Sequence, residues 1–243
     1  RQKEWGAILI SELALRGNER ILDLGCGDGG NTALIAEALP SGEVVGIDAS
    51  KGMIDTAKPK EKANLHFVLM DIDKITFEGE FDVIYSNATL HWVKDHHLLL
   101  KNVFKALRDG GLLRFNFAAD GNCSHFFKVI RKAMEKEKFS RFFSDFSWPW
   151  YMPKIDEYTQ LISQSELKDA KVWGENTDRY FPDTGTMIGW VDQPSLVPFL
   201  TCVPESYKAD FREYVVGEMV RETKQADGKC FETFRRINLF GRK

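Results

Sequence analysis

The run ILDLGCGDGG at Ile21–Gly30 constrains the fold of this chain more than any other segment, because an apolar strand leads directly into a glycine-rich turn. The apolar residues that open the run are typical of a buried parallel strand. Glycine has no Cβ atom, so Gly25, Gly27 and Gly29 allow a tight turn and a close approach between backbone and ligand. The apolar spacing of Thr32–Leu39 predicts a helix after the turn. The first N–H groups of that helix can face a nucleotide-like ligand.

The glycine pattern alone leaves two classes of ligand open. Gly25, Gly27 and Gly30 also satisfy G-x-G-x-x-G, the fingerprint of dinucleotide-binding proteins. The residues that follow must therefore decide between a dinucleotide and another nucleotide-like ligand.

Three further predicted strands end in polar residues. The strand Val44–Asp48 ends in a carboxylate about 20 residues after the glycine turn, where an acidic residue is expected to bind a ribose diol. The strand Leu65–Ile72 ends at Asp71. The fourth segment, Phe81–Val93, ends with Ser86, Asn87, His91 and Trp92. Ligands of open α/β sheets bind at the carboxyl ends of the strands, near the switch in strand order, so these residues predict one binding site.

Together these motifs resemble those of the class I S-adenosylmethionine (SAM)-dependent methyltransferases. The resemblance depends on DLGCGDG with Asp23 ahead of its glycines, Asp48, the pair Met70–Asp71, the segment SNATLHW and LRDGGLLRF at Leu107–Phe115. A nicotinamide enzyme has no reason to combine these features, so we favour SAM over a dinucleotide. The resemblance implies an α/β fold with a seven-stranded, mostly parallel, Rossmann-like sheet, an antiparallel last strand and a helical cap.

The resemblance also implies a set of residues that bind SAM: Asp23, Gly25, Gly27, Asp48, Ala49, Met53, Asp71, Ile72 and Asn87. In this family, Asp48 is expected to bind the ribose, Asp71 the adenine amino group and Asn87 the methionine amino group. Ile72 would then lie beside the adenine ring.

Two members of this set keep alternative interpretations. Asp23 either orients the glycine turn or faces the ammonium group of the methionine part. Met53 either packs on the adenine or belongs to the core, because methionine fills both kinds of place.

Four aromatic side chains form the predicted acceptor site: His91, Trp92, Trp148 and Trp150. His91 is the candidate catalytic residue, since the resemblance places a polar side chain where methyl donor and acceptor meet. Alternatively, His91 only bonds to the backbone and Trp92 only covers the sheet. The proline-stiffened pair Trp148 and Trp150 could exclude water and line an apolar pocket. The whole aromatic run Phe139–Tyr151 could instead be core.

A second resemblance concerns the acceptor. MIGWVDQPSLVPFL at Met187–Leu200 and QADGKCFETFRRINLFGRK at Gln225–Lys243 are similar to segments of the trans-aconitate methyltransferases. The chemistry also favours an acid, because a carboxylate with a pKa near 4 is ionised at neutral pH and needs no general base. Two departures, at Gln193–Ser195 and in the aromatic run 139–151, favour a more apolar acid than trans-aconitate.

The sequence therefore predicts an enzyme that methylates a small molecule, through the carboxylate of an organic acid. Two alternatives stay open: O- or C-methylation of an apolar ring, and a non-catalytic protein that binds SAM.

The composition excludes several other classes of protein. Of the 243 residues, 43% are hydrophobic, and the net charge of −3 gives no electrostatic reason to expect nucleic-acid binding. No apolar run reaches the ~18 residues that a membrane span needs. The four cysteines are scattered without a C-x-x-C spacing, which predicts a cytoplasmic protein without a metal site. The oligomeric state is not indicated.

We expect a single methyltransferase domain over 1–243. Its core would comprise 16–117, 169–176 and 231–243, and the insertions 118–168 and 177–230 would form the cap.

Overall fold

The computed structural model describes residues 8–192 and 195–243 of the chain. The chain divides into two compact units. The first comprises the chain up to residue 120 together with 150–175 and 236–243, and the second comprises 121–149 and 176–235. The departure that we noted at Gln193 and Pro194 lies outside the described residues.

The structure contains the strands that the sequence predicts. In chain order they are β1 (Arg20–Leu24), β2 (Glu43–Asp48), β3 (Leu65–Leu69), β4 (Phe81–Asn87), β5 (Leu107–Ala118), β6 (Lys168–Asn176), β7 (Arg179–Phe181), β8 (Cys230–Glu232) and β9 (Arg235–Arg242). Seven of them form one sheet in the order β3-β2-β1-β4-β5-β9-β6, and β7 pairs with β8 in a separate antiparallel ribbon. Neighbours from β3 to β5 run parallel, whereas β9 runs antiparallel to β5. This confirms the predicted sheet.

Helices alternate with the strands in the first half of the chain. In the described residues they include α1 (Gly30–Glu37), α2 (Lys51–Ala57), α3 (His96–Ala106), α4 (Ser124–Met134), α5 (Glu137–Ser140), α6 (Ile155–Ser163), α7 (Thr184–Val191), α8 (Val197–Leu200) and α9 (Glu205–Thr223). Short 3₁₀ turns lie at Lys58–Lys60, Ile72–Lys74 and Leu90–Trp92.

The structure divides the chain differently from the core and cap boundaries that the sequence suggests. Residues 150–168, which we assigned to the cap insertion 118–168, belong to the first unit. The reason is the apolar face of α6: Tyr158 and Ile162 are buried in the same core cluster as Phe117 of β5. Conversely, 231–235 belong to the second unit, because β8 pairs with β7. The role of the insertions as a cap stays a prediction.

Gly29 lies at a point where backbone and core leave no room for a side chain. Its φ angle is +76°, and a Cβ atom there would lie 2.5 Å from the ring of Phe67, which is buried in the core. Gly79 has a similar φ angle of +58°, but no atom lies within 4 Å of its Cβ position. The two glycines therefore separate the cost of the backbone conformation from the cost of the close contact.

We predict that Gly29→Ala destabilises the protein by about 2–4 kcal/mol, since overpacking adds to a left-handed backbone penalty of about 1–2 kcal/mol. Gly79→Ala should lower the free energy of unfolding only by the backbone penalty. Urea unfolding of both variants measures the difference. Equal losses would show that the contact with Phe67 relaxes without cost.

Candidate active site

The carboxylate of Asp48 is fixed at the end of β2 by two main-chain groups. Its Oδ2 accepts a hydrogen bond from the N–H of Gly27 at 3.0 Å, and its Oδ1 accepts one from the N–H of Ser50 at 2.8 Å. Gly27 has φ +55°, and no atom lies within 4 Å of its Cβ position. The carboxylate thus lies against the glycine turn, beside the central strand where the strand order switches.

Asp23 lies beneath the same turn and is only 2% exposed. Its Oδ2 accepts a hydrogen bond from the hydroxyl of Thr32 on α1 at 2.7 Å. Burial is the largest cause that raises the pKa of this carboxyl to about 7; the Thr32 hydroxyl opposes the shift, and the charge of Asp48 adds to it. Since the hydrogen bond joins β1 to the helix that follows the glycines, it is consistent with a role in orienting the turn.

The end of β4 is tied to the glycine turn through hydroxyl groups. Ser86 donates to the carbonyl oxygen of Leu24 at 2.7 Å, and Thr89 donates to that of Gly25 at 2.9 Å. A Cβ atom on Gly25 would lie 2.0 Å from the Thr89 side chain. Sequence reasoning missed the roles of these hydroxyls, although both residues belong to the SNATLHW segment.

Residues after Ser86 adopt an unusual backbone. Ala88 has φ +61°, a left-handed conformation that is uncommon outside glycine. Its N–H donates to the carbonyl oxygen of Asn116 on β5 at 2.7 Å. Asn87, predicted to bind the methionine amino group, is the last residue of β4 and is partly buried.

The predicted adenine contacts differ in exposure. Asp71 is exposed, and it accepts a hydrogen bond from the N–H of Asp73 at 3.1 Å. Ile72 is only 7% exposed and belongs to the core, so its side chain offers little surface to a ring. Met53 is 41% exposed, which argues against the core interpretation of this residue. Leu69, which we did not name as a site residue from the sequence, is 52% exposed and pairs with Asp48 where β3 lies beside β2.

His91 lies in the 3₁₀ turn after β4, and its carbonyl oxygen accepts a hydrogen bond from the N–H of Tyr151 at 2.8 Å. The ring atom Nδ1 is buried and has no hydrogen-bond partner among the described residues. Burial is the main cause that lowers the pKa of His91 to about 3, and the positive charge of Arg236 contributes. The imidazole is therefore neutral at physiological pH.

The turn that carries His91 is held by a second histidine that the sequence did not single out. His96 is buried; its Nε2 lies 3.0 Å from the carbonyl oxygen of Leu90, and its Nδ1 lies 3.0 Å from the hydroxyl of Tyr158. Because a carbonyl can only accept, Nε2 carries the proton and Nδ1 accepts from Tyr158. Burial lowers the pKa of His96 to about 4, so this ring is neutral too.

The three tryptophans of the predicted acceptor site do not share one environment. The rings of Trp92 and Trp150 pack together in the first unit, with centroids 5.2 Å apart, and Trp92 is 44% exposed. Trp148 belongs to the second unit. There it packs against the rings of Phe127, Phe146 and Phe199.

Most of the aromatic run 139–151 forms the core of the second unit. Phe139 and Phe143 contact Phe211 of α9, and Phe142 contacts Tyr207. This packing agrees with the alternative interpretation of these phenylalanines as core, and the lining of a pocket by Trp148 and Trp150 stays a prediction.

In the part of the chain that the structure describes, no group of three or more His, Cys, Asp or Glu side chains could hold a metal ion. Within residues 8–192 and 195–243, no helix is both long and apolar enough to cross a membrane.

Comparison with known proteins identifies the family. The methyltransferase domain family matches residues 21–111. The trans-aconitate 2-methyltransferase of Deinococcus radiodurans is 30% identical over 208 residues, covering 84% of this chain and 79% of that protein. The trans-aconitate 2-methyltransferase of Methylobacterium radiotolerans is 28% identical over 241 residues, covering 98% of this chain and 92% of that protein.

A solved structure agrees in fold. The phosphoethanolamine N-methyltransferase 2 of Haemonchus contortus, in complex with SAM, has a TM-score of 0.61 at 17% identity, covering 99% of this chain and 52% of that chain. The chain therefore belongs to the class I SAM-dependent methyltransferases. Its methyl donor is SAM, and its sequence is similar to trans-aconitate 2-methyltransferases over most of its length.

The raised pKa of Asp23 predicts a specific pH dependence of stability. The folded carboxyl, with a pKa of about 7, holds a proton that the unfolded chain has already released, so folding becomes less favourable as pH rises from about 4 to 7. Asp23→Asn keeps an acceptor for Thr32 and never ionises. Relative to wild type, it should gain about 3 kcal/mol of unfolding free energy between pH 5 and pH 8.

Urea unfolding without SAM at pH 5, 6, 7 and 8 measures this gain, because the other titrating groups are common to both proteins. A difference between variant and wild type that stays constant with pH would contradict the assignment.

Proposed function

We propose that the protein transfers the methyl group of SAM to a carboxylate of a small organic acid. The observation that carries the proposal is the burial of His91: its Nδ1 has no hydrogen-bond partner among the described residues, and the same burial lowers the pKa of the imidazole to about 3, which makes it a poor proton acceptor. A phenol or alcohol acceptor would need a base. A carboxylate is already ionised at neutral pH and needs none.

The residues at the carboxyl ends of the strands suit the cofactor. We propose that Asp48 binds the ribose hydroxyls, since two main-chain N–H groups already hold its carboxylate in place. Gly25, Gly27 and Ala49 would line the adjoining backbone, and Met53 and Asp71 would contact the adenine. Asn87 would bind the methionine amino group. When bound, SAM supplies a methyl group on a positively charged sulfonium.

His91 is proposed to orient the acceptor as a hydrogen-bond donor. An N–H group without a partner costs more at the buried Nδ1 than a lone pair does, and the positive charge of Arg236 nearby also favours the lone pair. We therefore assign the proton to Nε2. A neutral N–H donor can hold a carboxylate oxygen in position without removing a proton from it.

The remaining contribution to catalysis is the positioning of methyl donor and acceptor in a site that excludes water. Holding two reactants in the right geometry can supply roughly 7–11 kcal/mol of the barrier. The packed rings of Trp92 and Trp150 can exclude water beside His91. Exclusion of water strengthens the attraction between a carboxylate and a sulfonium.

The similar trans-aconitate 2-methyltransferases support an acid as the acceptor. The aromatic run no longer favours an apolar acid over a polar one, because most of its rings pack against other aromatic rings of the second unit. Methylation of an apolar ring and non-catalytic binding of SAM are the outcomes that the experiment must separate from this proposal.

The test is formation of S-adenosylhomocysteine with trans-aconitate, with smaller aliphatic and aromatic acids, and with matched phenols. We expect turnover on acids alone. For the best acid, kcat/KM should show no dependence on His91 ionisation between pH 5.5 and 8, because both His91 and the acceptor titrate below that range. His91→Ala should raise KM and keep the wild-type shape of the pH profile, including any change caused by Asp23 near pH 7.

Two results would contradict the proposal. Turnover on phenols, with a loss of rate on the acid side of the pH profile that depends on His91, would make His91 a base. Tight SAM binding without turnover of any acid would favour a different acceptor or a binding protein.

A further inference from the structure

Asp23 lies beside a tyrosine whose hydroxyl has no hydrogen-bond partner in the described part of the chain. Asp23 on β1 and Tyr85 on β4 lie opposite each other on neighbouring parallel strands. The side chain of Asp23 bonds to Thr32 of α1, and Tyr85 packs in the core cluster that includes residues of the same helix. Both side chains therefore lie on one face of the sheet. Tyr85 is only 1% exposed, and its hydroxyl is buried without a partner among the described residues.

The hydroxyl of Tyr85 can only act as a neutral donor. Burial is the first cause that raises the pKa of Tyr85, and the charge of Asp23 adds to it, whereas the charge of Arg114 opposes it. Arg114, which lies opposite Tyr85 on β5, is paired with Glu12 at 2.8 Å. The phenol therefore keeps its proton. A buried hydroxyl without a hydrogen bond is costly, so its position beside Asp23 needs an explanation.

The carboxyl of Asp23 can accept the hydrogen bond that Tyr85 offers. Its Oδ2 accepts from the Thr32 hydroxyl, and no group of the described residues donates to its Oδ1. Because burial is the main cause that raises its pKa to about 7, about half of the molecules carry a proton on this carboxyl at pH 7. A neutral carboxyl is a weaker acceptor than a carboxylate. The ionisation of Asp23 therefore decides how strongly Tyr85 can bond to it.

Further ionisable groups face Asp23 from the glycine turn and from β2. Cys26 stays a neutral thiol, because burial raises its pKa. Asp48 contributes a negative charge that favours the protonated form of Asp23. Asp28 is exposed and accepts a hydrogen bond from the N–H of Gly30. Negative charge thus predominates on this side of Asp23.

A cation bound at this edge of the sheet reverses the balance. SAM carries an ammonium and a sulfonium. A positive charge within ~4–6 Å favours the ionised form of a carboxyl. A hydrogen bond to a charged acceptor is roughly twice as strong as one between neutral groups. Cofactor binding and a hydrogen bond from Tyr85 therefore favour the same, ionised state of Asp23.

We propose that Asp23 releases its proton when SAM binds, and that the Tyr85 hydroxyl then donates a hydrogen bond to the Asp23 carboxylate. The O–H bond of the carboxyl breaks, its electron pair stays on the oxygen, and the proton passes to the solvent. Tyr85 is a positioning residue that acts on the cofactor through Asp23. The affinity for SAM consequently depends on pH, and the methyl acceptor takes no part in this coupling.

Calorimetric titration of SAM in phosphate and in bis-Tris buffers of the same pH counts the released protons, because the two buffers differ in ionisation enthalpy. Wild type should release about 0.5 proton per SAM more than Asp23→Asn at pH 7, and about 0.9 more at pH 6. Between pH 6 and pH 7 the Kd of wild type should fall about fivefold more than that of the variant. The ammonium of SAM titrates alike in both proteins and cancels.

Tyr85→Phe tests the hydrogen bond. It should weaken SAM binding about tenfold at pH 7, since it removes a bond to a charged acceptor that forms only in the complex. In the Asp23→Asn background the same change should alter the Kd by less than about threefold. The thermal midpoint of the protein without SAM should not fall, because the hydroxyl has no partner there among the described residues. Tyr180→Phe is the matched control: it removes an exposed hydroxyl from the second unit and should leave the Kd unchanged.

S-adenosylhomocysteine keeps the ammonium and lacks the sulfonium, so its titration shows which charge acts on Asp23. Equal proton release with both ligands supports the proposal and assigns the ammonium. Release with SAM alone supports the proposal and assigns the sulfonium.

Either of two results would overturn the proposal. Wild type that binds SAM without releasing more protons than Asp23→Asn rules out the proton release. Tyr85→Phe that weakens SAM binding equally in both backgrounds, or that unfolds the protein, gives Tyr85 a structural role instead. Neither result bears on the proposed acceptor, because both are measured without one.

Discussion

The contact between Gly25 and Thr89 is the constraint on which the rest of the site depends. The side chain of Thr89 occupies the space where any other residue at position 25 would carry its Cβ atom, and its hydroxyl bonds to the Gly25 carbonyl. This contact holds the turn after β1 against the turn after β4. Since β1 lies between β2 and β4 in the sheet, this contact also sets the distance between Asp48 and the turn that carries His91.

Two carboxylates lie close together at this edge of the sheet. Asp23 and Asp48 lie at the ends of β1 and β2, and burial together with the charge of Asp48 keeps Asp23 hard to ionise. Beyond β4, burial keeps His91 neutral. The carboxylates suit a cationic methyl donor, and a neutral His91 suits an acceptor that is already ionised. The buried Asp23 lowers the stability of the fold when it ionises.

The sequence could predict the elements whose signals are local. The glycine turn and the carboxylate at the end of β2 follow from short motifs and apolar periodicity, and the seven-stranded sheet follows from the resemblance to the family. The sheet and the family were confirmed, whereas the individual site residues stay predictions. The burial of Ile72 was not predictable, because its position after β3 gives no indication of which way the side chain turns.

Other features depend on contacts between distant parts of the chain. Asn116 meets Asn238 and Arg236 only through the antiparallel register of β5 and β9, which no local pattern encodes. Likewise, Trp148 and Trp150 are separated in sequence by Pro149 alone, yet the unit boundary falls between them. Aromatic spacing alone cannot show which core each ring joins.

The most direct test of the account is the dissociation constant of SAM for wild type and Asp48→Ala, measured by calorimetric titration. Asp55→Ala is the matched control, because it removes one exposed carboxylate from the neighbouring helix α2. Loss of charged hydrogen bonds to the ribose should weaken SAM binding by about 1.5–3 kcal/mol for Asp48→Ala and leave the control unchanged. An unchanged dissociation constant for a folded Asp48→Ala variant would contradict the assignment of this edge of the sheet as the cofactor site.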